Sequence, residues 1–201
     1  KDVQDRILAD ERLGRLVNII DLKYWWYTAD GTLYAPPGGA ASGGTYLAPR
    51  QQLREWKGNK GRSDRYTAQQ IQEYRLKYPE KAILTPYATK NGWWTIAAGG
   101  SMPTKELRLP QGILQSISQL TPMAILQGKQ VGLSLPGKKY LLVSEGIESI
   151  AIPLSSYNAS FKVTWFHANT GQPLRESTLA AGRDFNETPP VADESLLWIE
   201  S

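Results

Sequence analysis

The sequence predicts two parts of different class, an α/β part over residues 1–125 and an antiparallel all-β part over residues 126–201. In the first part, two apolar runs that suit buried strands, 16–24 and 82–86, flank a helical segment. Strands that alternate with helices predict parallel pairing. From about Gly128 onward, short strands separated by turns replace the helical pattern, as is typical of a small β-sandwich. The predicted fold class is therefore α/β plus all-β.

The first strand is predicted from Leu16 to about Tyr24, after a short helix within residues 1–15. The run is continuously apolar rather than alternating, which suits a strand buried on both faces, as in a parallel sheet. Asp21, near its end, is the one carboxylate of the run. Any chemistry of this strand is therefore expected at its C-terminal end.

Aromatic residues and a long loop rich in Gly and Pro follow this strand. Four aromatics come in succession, Tyr24 to Tyr27, and Tyr34 and Tyr46 lie in the loop, which extends to Arg50. A strand end with an acid and aromatics is typical of a sugar-binding cleft, since Tyr and Trp offer a flat apolar body and a polar group. A buried strand with an aromatic core and a disordered glycine loop remains the alternative. Because alternate strand residues point to opposite sides, at least half of the aromatic run is expected in the core.

The remaining elements of the α/β part follow from capping and apolar runs. A helix over residues 67–78 begins with a capping-box pattern and stops before Pro79. A second buried strand is predicted from residue 82, and a third apolar strand over residues 93–98. A short helix over residues 113–120 completes this part.

The all-β part is predicted to contain six short strands. They span residues 131–135, 139–144, 148–154, 160–166, 173–178 and 195–199. Polar and apolar residues alternate between Phe161 and Trp165, as expected when one face of an antiparallel sheet is buried. The segment Asn169-Thr170-Gly171 provides a hairpin turn after this strand.

Composition excludes several kinds of site. The chain has no cysteine, which excludes disulfides, thiolate zinc sites and a cysteine nucleophile. Its one histidine, His167, has no second His or Cys to join it, so no metal site is expected. No GxGxxG or GK[ST] pattern occurs, and no cofactor is expected. No apolar run approaches the roughly 20 residues of a membrane span.

The charge pattern leaves two interpretations of a basic segment between Arg50 and Lys81. The net charge of the chain is +4, and a basic cluster of this kind can bind nucleic acid. Acidic residues are interspersed through the segment, among them Asp64 and Glu73, which favours a solvated helix face. No nucleic-acid partner is therefore expected.

Most of the chain resembles a known family. The stretches IDLKYWWYTADGTLYAPPGG, IQEYRLKYPEKAIL and GWWTIAAGGSMP resemble the last β/α units of a bacterial TIM-barrel group related to the apiosidase-like glycoside hydrolases. The stretch YLLVSEGIESIAIPLSSYNASFKVTWFHANTGQPL resembles the small β-sandwich, labelled collagen-binding, that follows such barrels. Within it, WFHANTG is similar to the pattern Trp-Phe-x-Pro-x-Thr-Gly, with Ala168 in place of proline. The resemblance implies the last units of a TIM (β/α)8 barrel followed by a small antiparallel β-sandwich.

The resemblance also implies a site at the C-terminal ends of the barrel strands. It implies Asp21 as a catalytic acid or base of a glycoside hydrolase. Such enzymes normally need two carboxylates, and Thr85 and Tyr87 stand where a second one is expected after the next strand. Either the second acid is therefore expected in a missing N-terminal segment, or the barrel is not catalytic in the usual way. The substrate-binding residues predicted beside Asp21 are Tyr24, Trp25, Trp26, Tyr34, Arg50, Tyr87, Trp93 and Ser101.

The expected function is action on the glycosidic bonds of a polysaccharide or oligosaccharide by a secreted or periplasmic bacterial protein. The chain starts at Lys1 rather than Met, so it is expected to be the C-terminal part of something longer. Its expected partners are a carbohydrate substrate and the N-terminal remainder of the same barrel, which could be a separate chain. The alternative is a non-catalytic carbohydrate-binding or surface-adhesion module.

Overall fold

The computed structural model describes residues 1–23, 25–34, 63–87, 89–103, 105–123 and 130–201. The helices within these ranges are α1 (Asp2–Ala9), α2 (Leu13–Leu16), α3 (Asp64–Lys77), α4 (Trp93–Ala97) and α5 (Gln111–Ser116), and a 3₁₀ turn, Ile117–Gln119, follows α5. The strands are β1 (Ile19–Asp21), β2 (Trp26–Tyr27), β3 (Leu33–Tyr34), β4 (Ala82–Leu84), β5 (Thr121–Pro122), β6 (Gln130–Leu135), β7 (Lys139–Ser144), β8 (Ile150–Ile152), β9 (Phe161–His167), β10 (Pro173–Leu179), β11 (Phe185–Glu187) and β12 (Ser195–Glu200).

The predicted parallel pairing is confirmed, because β1 and β4 lie side by side and parallel, with Ile20 opposite Ile83. Both of these side chains are buried, and α3 lies between the two strands in the sequence. The first strand is shorter than predicted, since Leu16 ends α2 instead. The physical reason is burial, because Leu16 is 78% exposed and Ile19 is 57% exposed, so the apolar run is not enclosed on both faces.

Helix α3 begins three residues before the predicted capping box. Ser63 takes the N-cap position, and its Oγ accepts a hydrogen bond from the Tyr66 N–H at 3.2 Å. A serine at this position satisfies one of the amide donors that the first turn leaves unpaired. The helix ends at Lys77, ahead of Pro79, as the sequence predicts.

The third apolar strand predicted over residues 93–98 is wrong, because this segment forms helix α4. All five residues of the helix are buried, so the run carries neither a helical nor a strand period, and periodicity cannot assign it. The helix start is fixed locally, since the Asn91 side-chain oxygen accepts a hydrogen bond from the Trp93 N–H at 2.9 Å.

The beginning of the predicted long loop is a hairpin, in which β2 and β3 pair antiparallel. Its turn places Gly31 at a φ of +83°, a conformation that glycine adopts without strain. The Asp30 carboxylate accepts a hydrogen bond from the Thr32 N–H at 3.0 Å inside the same turn. The hairpin therefore carries Trp26 and Tyr34 as direct cross-strand neighbours.

An antiparallel sheet of six strands, in the order β10-β9-β12-β7-β6-β5, forms the C-terminal part. Each of the six strands predicted after Gly128 has a counterpart among the observed strands. Strand β12 lies near the middle of the sheet, between β9 and β7. The predicted division at residue 125 falls within 124–129, outside the described ranges, and stays a prediction.

Both faces of this sheet are covered. One face packs against the two-stranded sheet of β8 and β11. The side chains buried between the two sheets include Trp165, Phe185 and Leu197. The other face packs against the helices of the N-terminal part, with Trp198 in the same cluster as Trp94. The six-stranded sheet is therefore the middle layer of the molecule.

Candidate functional site

Three aromatic rings meet beyond the C-terminal ends of β1 and β4. The ring centroids of Trp26 and Tyr34 are 4.6 Å apart, and those of Trp26 and Tyr87 are 5.8 Å apart. Trp26 follows β1 in the sequence, and Tyr87 follows β4. Because parallel strands end at the same edge of a sheet, the two segments converge there. We call Trp26, Tyr34 and Tyr87 the aromatic cluster.

The hairpin of β2 and β3 positions two of these rings. Trp26 and Tyr34 are direct partners in its register, and such cross-strand pairs bring side chains into contact. Trp26 and Tyr87 are buried, whereas Tyr34 is only partly buried. Tyr34 therefore offers the most accessible ring of the cluster.

Asp21 is the last residue of β1 and is exposed. Its backbone oxygen accepts hydrogen bonds from the Gln4 Nε2 at 3.1 Å and from the Lys23 N–H at 2.9 Å. Within the described part of the chain, no hydrogen bond or ion pair engages its carboxylate. The carboxylate therefore lies, exposed, at the C-terminal end of β1, the strand that leads to Trp26 of the aromatic cluster.

Two of the predicted binding residues are core residues instead. Trp25 is 1% exposed, and its Nε1 donates a hydrogen bond to the Gln4 Oε1 at 3.0 Å. Its backbone oxygen accepts a hydrogen bond from the Gln70 Nε2 at 2.9 Å. Trp93 has no exposed surface and packs in the same core cluster. Trp25 and Trp26, adjacent in sequence, thus belong to different clusters, as alternation along an extended segment predicts.

Ser101 lies beside β4 rather than in the aromatic cluster. Its N–H donates to the Ile83 carbonyl at 2.8 Å, and its Oγ accepts a hydrogen bond from the Ile83 N–H at 2.9 Å. The Arg75 guanidinium donates to the same Oγ at 3.0 Å. Ser101 therefore completes the backbone pairing of β4. Tyr24 and Arg50, the other predicted residues, lie outside the described ranges.

A buried carboxylate that the sequence did not single out joins the two parts of the molecule. Glu194, immediately before β12, has no exposed surface. Its Oε1 accepts a hydrogen bond from the Trp94 Nε1 at 2.8 Å, and its Oε2 accepts one from the Asn91 Nδ2 at 2.7 Å. The Lys90 Nζ lies 3.9 Å from Oε1. Glu194 thus ties the start of β12 to the N-terminus of α4.

A second carboxylate, Asp64 at the first position of α3, faces Glu194. One Asp64 oxygen accepts a hydrogen bond from the Lys90 N–H at 2.7 Å. Burial raises the pKa of Asp64 and also that of Glu194, while the Glu194 charge raises the pKa of the Lys90 ammonium. We call Asp64, Lys90 and Glu194 the junction cluster, and these contacts hold each member in place. No short stretch of sequence indicates this cluster, because its members are far apart along the chain.

Across the described ranges, no three His, Cys, Asp or Glu side chains group so that they could hold a metal ion. No helix in the same part of the chain is both long and apolar enough to cross a membrane.

Comparison with known proteins gives one family match and several structural similarities. The family model described as "Domain of unknown function (DUF6298)" matches residues 1–120. No curated protein matches the chain. The chain is similar to a solved structure titled "Glycoside hydrolase", with 8% identity over 81% of this chain and 50% of that one, and a TM-score of 0.47.

Two further solved structures show weaker similarity. One is a glycoside hydrolase family 5 protein from Bacteroides vulgatus, with 10% identity over 67% of this chain and 45% of that one, and a TM-score of 0.46. The other is a Paenibacillus polymyxa xyloglucanase from family 44, with 14% identity over 66% of this chain and 35% of that one, and a TM-score of 0.34. The chain spans half or less of the length of these structures.

Proposed function

The chain belongs to the DUF6298 family, whose description assigns no activity, and we propose from its own residues that it is part of a glycoside hydrolase-like protein. In this proposal it acts on glycosidic bonds of a polysaccharide or oligosaccharide by carboxylate acid/base chemistry. One observation carries the proposal: the exposed Asp21 carboxylate and the aromatic cluster share the C-terminal edge of β1 and β4.

The chemistry of this edge suits a sugar. A pyranose ring presents C–H groups that pack on an aromatic face, and the partly buried Tyr34 offers such a face together with a hydroxyl. The carboxylate of Asp21 can accept hydrogen bonds from sugar hydroxyls or exchange a proton with a glycosidic oxygen. Ligands of open α/β sheets bind outside the carboxyl ends of the strands, which is where these groups stand.

The free edge of β1 supports a partner that continues the sheet. Within the described residues β1 pairs only with β4, although parallel sheets are normally covered on both faces and contain more strands. Exposed apolar side chains lie on β1 and on the two helices that precede it, with Ile19 57%, Leu16 78% and Val3 61% exposed. In the proposal, the N-terminal remainder of the same barrel pairs here, either in the same polypeptide or as a separate chain.

The second catalytic acid is assigned to that remainder. Glu194 does not fill this role, because its two oxygens accept hydrogen bonds from Asn91 and Trp94 and it has no exposed surface. A glycosidase partner of Asp21 should lie about 5–10 Å from its carboxylate. A secreted or periplasmic location is proposed with this function, since the cell-wall polysaccharides of plants and microbes lie outside the cytoplasm.

A non-catalytic carbohydrate-binding module is the second candidate. The observation that favours it is that two buried or partly buried carboxylates of this part of the chain, Asp64 and Glu194, already accept hydrogen bonds from Lys90, Asn91 and Trp94. In this candidate Asp21 and the aromatic cluster bind glycan, and no bond is cleaved.

The test uses the full-length protein that contains this chain, assayed for reducing-end release from a panel of plant and microbial polysaccharides. Asp21→Asn removes the proton-exchanging group and keeps the shape, so activity should fall by about 10²–10⁴-fold while glycan affinity changes little. Asp2→Asn is the matched control, because Asp2 is an exposed carboxylate on α1, and its activity should equal that of the parent protein.

The outcomes separate the two candidates. Full activity of Asp21→Asn would contradict the catalytic role of Asp21. Absence of cleavage by the parent protein, with glycan binding that Tyr34→Ala weakens, would support the binding module instead. Absence of both cleavage and glycan binding would contradict both candidates.

A further inference from the structure

A cleft of about 450 Å³ lies between α5 and one face of the six-stranded sheet. Gly112 and Ser116 line it from the helix side, and Phe166 and Trp198 line its floor on β9 and β12. Its volume falls in the range of small-molecule sites, which is roughly 300–1,000 Å³. None of its lining residues belongs to the aromatic cluster, so the cleft is separate from the edge described above.

The rim of the cleft carries four charged side chains of alternating sign. In the sheet register, Glu200 lies directly between Lys139 and Lys162 on the neighbouring strands. The Lys162 Nζ also lies 3.2 Å from the Glu176 Oε1. Two ammonium groups and two carboxylates therefore line the cleft, with no net charge.

One corner of the cleft is held closed by hydrogen bonds between its roof and its rim. The Lys139 Nζ donates a hydrogen bond to the Ser116 Oγ at 2.8 Å, and this Oγ donates to the Gly112 carbonyl at 2.9 Å. The remaining charged groups stand on the sheet, where they can meet a ligand. The cleft therefore lies between α5 and the six-stranded sheet, which contact each other directly.

The segment WFHANTG lines the cleft through two residues, Phe166 on its floor and Gly171 in the turn that follows β9. Gly171 has a φ of +70°, and a Cβ added there would collide with the Arg108 carbonyl oxygen. Only glycine lets this turn approach the segment that leads into α5. The sequence stretch that stood out in the all-β part thus has a structural role in shaping this cleft.

We propose that this cleft binds a short neutral saccharide. Sugar hydroxyls can donate hydrogen bonds to Glu176 and Glu200 and accept them from Lys162, so one uncharged ligand matches both signs of the rim. An anionic ligand would meet two carboxylates and a cationic ligand two ammonium groups, each at an electrostatic cost. Phe166 and Trp198 are 5% and 1% exposed, so they close the bottom of the cleft and offer a sugar ring only a narrow apolar contact. The proposal does not depend on hydrolysis at Asp21.

The experiment titrates the full-length protein that contains this chain with cellotetraose, xylotetraose and mannotetraose, and follows amide chemical shifts by NMR. Tetragalacturonate serves as the charged comparison. Gly112→Phe places a large side chain on a residue that lines the cleft, and a Cβ added at Gly112 meets no atom within 4 Å, so the replacement is accommodated without a collision. Gly112→Ala is the matched control, and both replacements favour the helix over glycine, so neither should prevent folding.

The expected result is a shift of the Gly112 and Gly171 signals by at least one neutral tetraose, with weaker binding of tetragalacturonate. Gly112→Phe should raise the dissociation constant by about ten-fold or more, and Gly112→Ala should leave it within about two-fold. Unchanged binding by Gly112→Phe, or no binding of any neutral tetraose, would overturn the proposal. Shifts confined to the aromatic cluster and abolished by Tyr34→Ala would also overturn it, while leaving the proposed function standing.

Discussion

Replacing Glu194 by Gln should destabilise the protein, because a buried site with two hydrogen-bond donors loses one of its two acceptors. In the structure, the Asn91 Nδ2 and the Trp94 Nε1 each donate to a different Glu194 oxygen, at 2.7 and 2.8 Å. A glutamine offers one oxygen, and its NH₂ group then faces the other donor. Rotating the Asn91 amide cannot turn its oxygen toward the new NH₂ group without loss, since this oxygen already accepts a hydrogen bond from the Trp93 N–H at 2.9 Å.

The magnitude follows from the number of donors left unpaired. A buried donor without a partner costs about 1–3 kcal/mol, so Glu194→Gln should lower the free energy of unfolding by about 2 kcal/mol. Glu194→Ala removes both acceptors and should cost about twice as much. The charge itself is not a large favourable term, because burial raises the pKa of Glu194.

Urea unfolding followed by tryptophan fluorescence measures these differences, and the m-value should stay constant. Glu148→Gln is the matched control, because Glu148 is exposed, and its effect should stay within about 0.5 kcal/mol. If Glu194→Gln also stays within that range, the assignment of Glu194 as the buried acceptor between Asn91 and Trp94 is refuted.

The same variant predicts a pH dependence. Burial raises the pKa of Glu194 above its ordinary 4.5, so its contribution to stability is fully present below pH 4.5 and declines as pH rises through the folded-state pKa. Asp64 and Glu145 face it with negative charge and Lys90 with positive charge. The excess stability of the parent protein over Glu194→Gln should therefore be larger at pH 4 than at pH 8. An excess that grows with pH would contradict the burial argument.

Two other replacements test local geometry. Gly171→Ala should lower the free energy of unfolding by more than about 2 kcal/mol, because the new Cβ would collide with the Arg108 carbonyl. Gly182 has a φ of +75° with open space around it, so Gly182→Ala should cost only the conformational penalty of about 1–2 kcal/mol. Equal losses of the two variants in urea unfolding would contradict the collision. A hydrogen bond from the Ser155 side chain, together with those from the backbone N–H groups of Ser155 and Leu154, holds the pKa of Asp184 below its ordinary 3.8. Asp184→Ala should therefore lower the melting temperature at pH 7. That loss should shrink as pH falls below 3.8, and a loss independent of pH would exclude a contribution from the charge.

The elements that could be predicted from the sequence are those with a local signal. Turns and alternation located the six C-terminal strands, and Pro79 fixed the end of α3. The segment over 93–97 could not be predicted, because every residue of α4 is buried and the run has no polar face to set a period. The start of β1 was displaced for the opposite reason, since Leu16 is apolar but exposed.

For the candidate site, the sequence indicates a strand end but not how the aromatic residues pack there. Strand ends and aromatics located the edge that carries Asp21 and Trp26, but only the three-dimensional packing separates Trp26 from the core residue Trp25. Glu194 left no local signal, because its partners Asn91 and Trp94 lie about a hundred residues away in the sequence. Such distant contacts depend on tertiary structure, which no short window of sequence encodes.

The six-stranded sheet, covered on both faces, has a consequence for how the chain can be divided. Its strands contribute Trp165 to one core cluster and Trp198 to the other, so each cluster needs this sheet as a wall. A fragment that begins at Gln130 would present the face carrying Leu196 and Trp198 directly to water. Such a fragment should aggregate or bind a chaperone rather than fold as an independent domain. A fusion protein that includes these strands should therefore also include the helices that cover them.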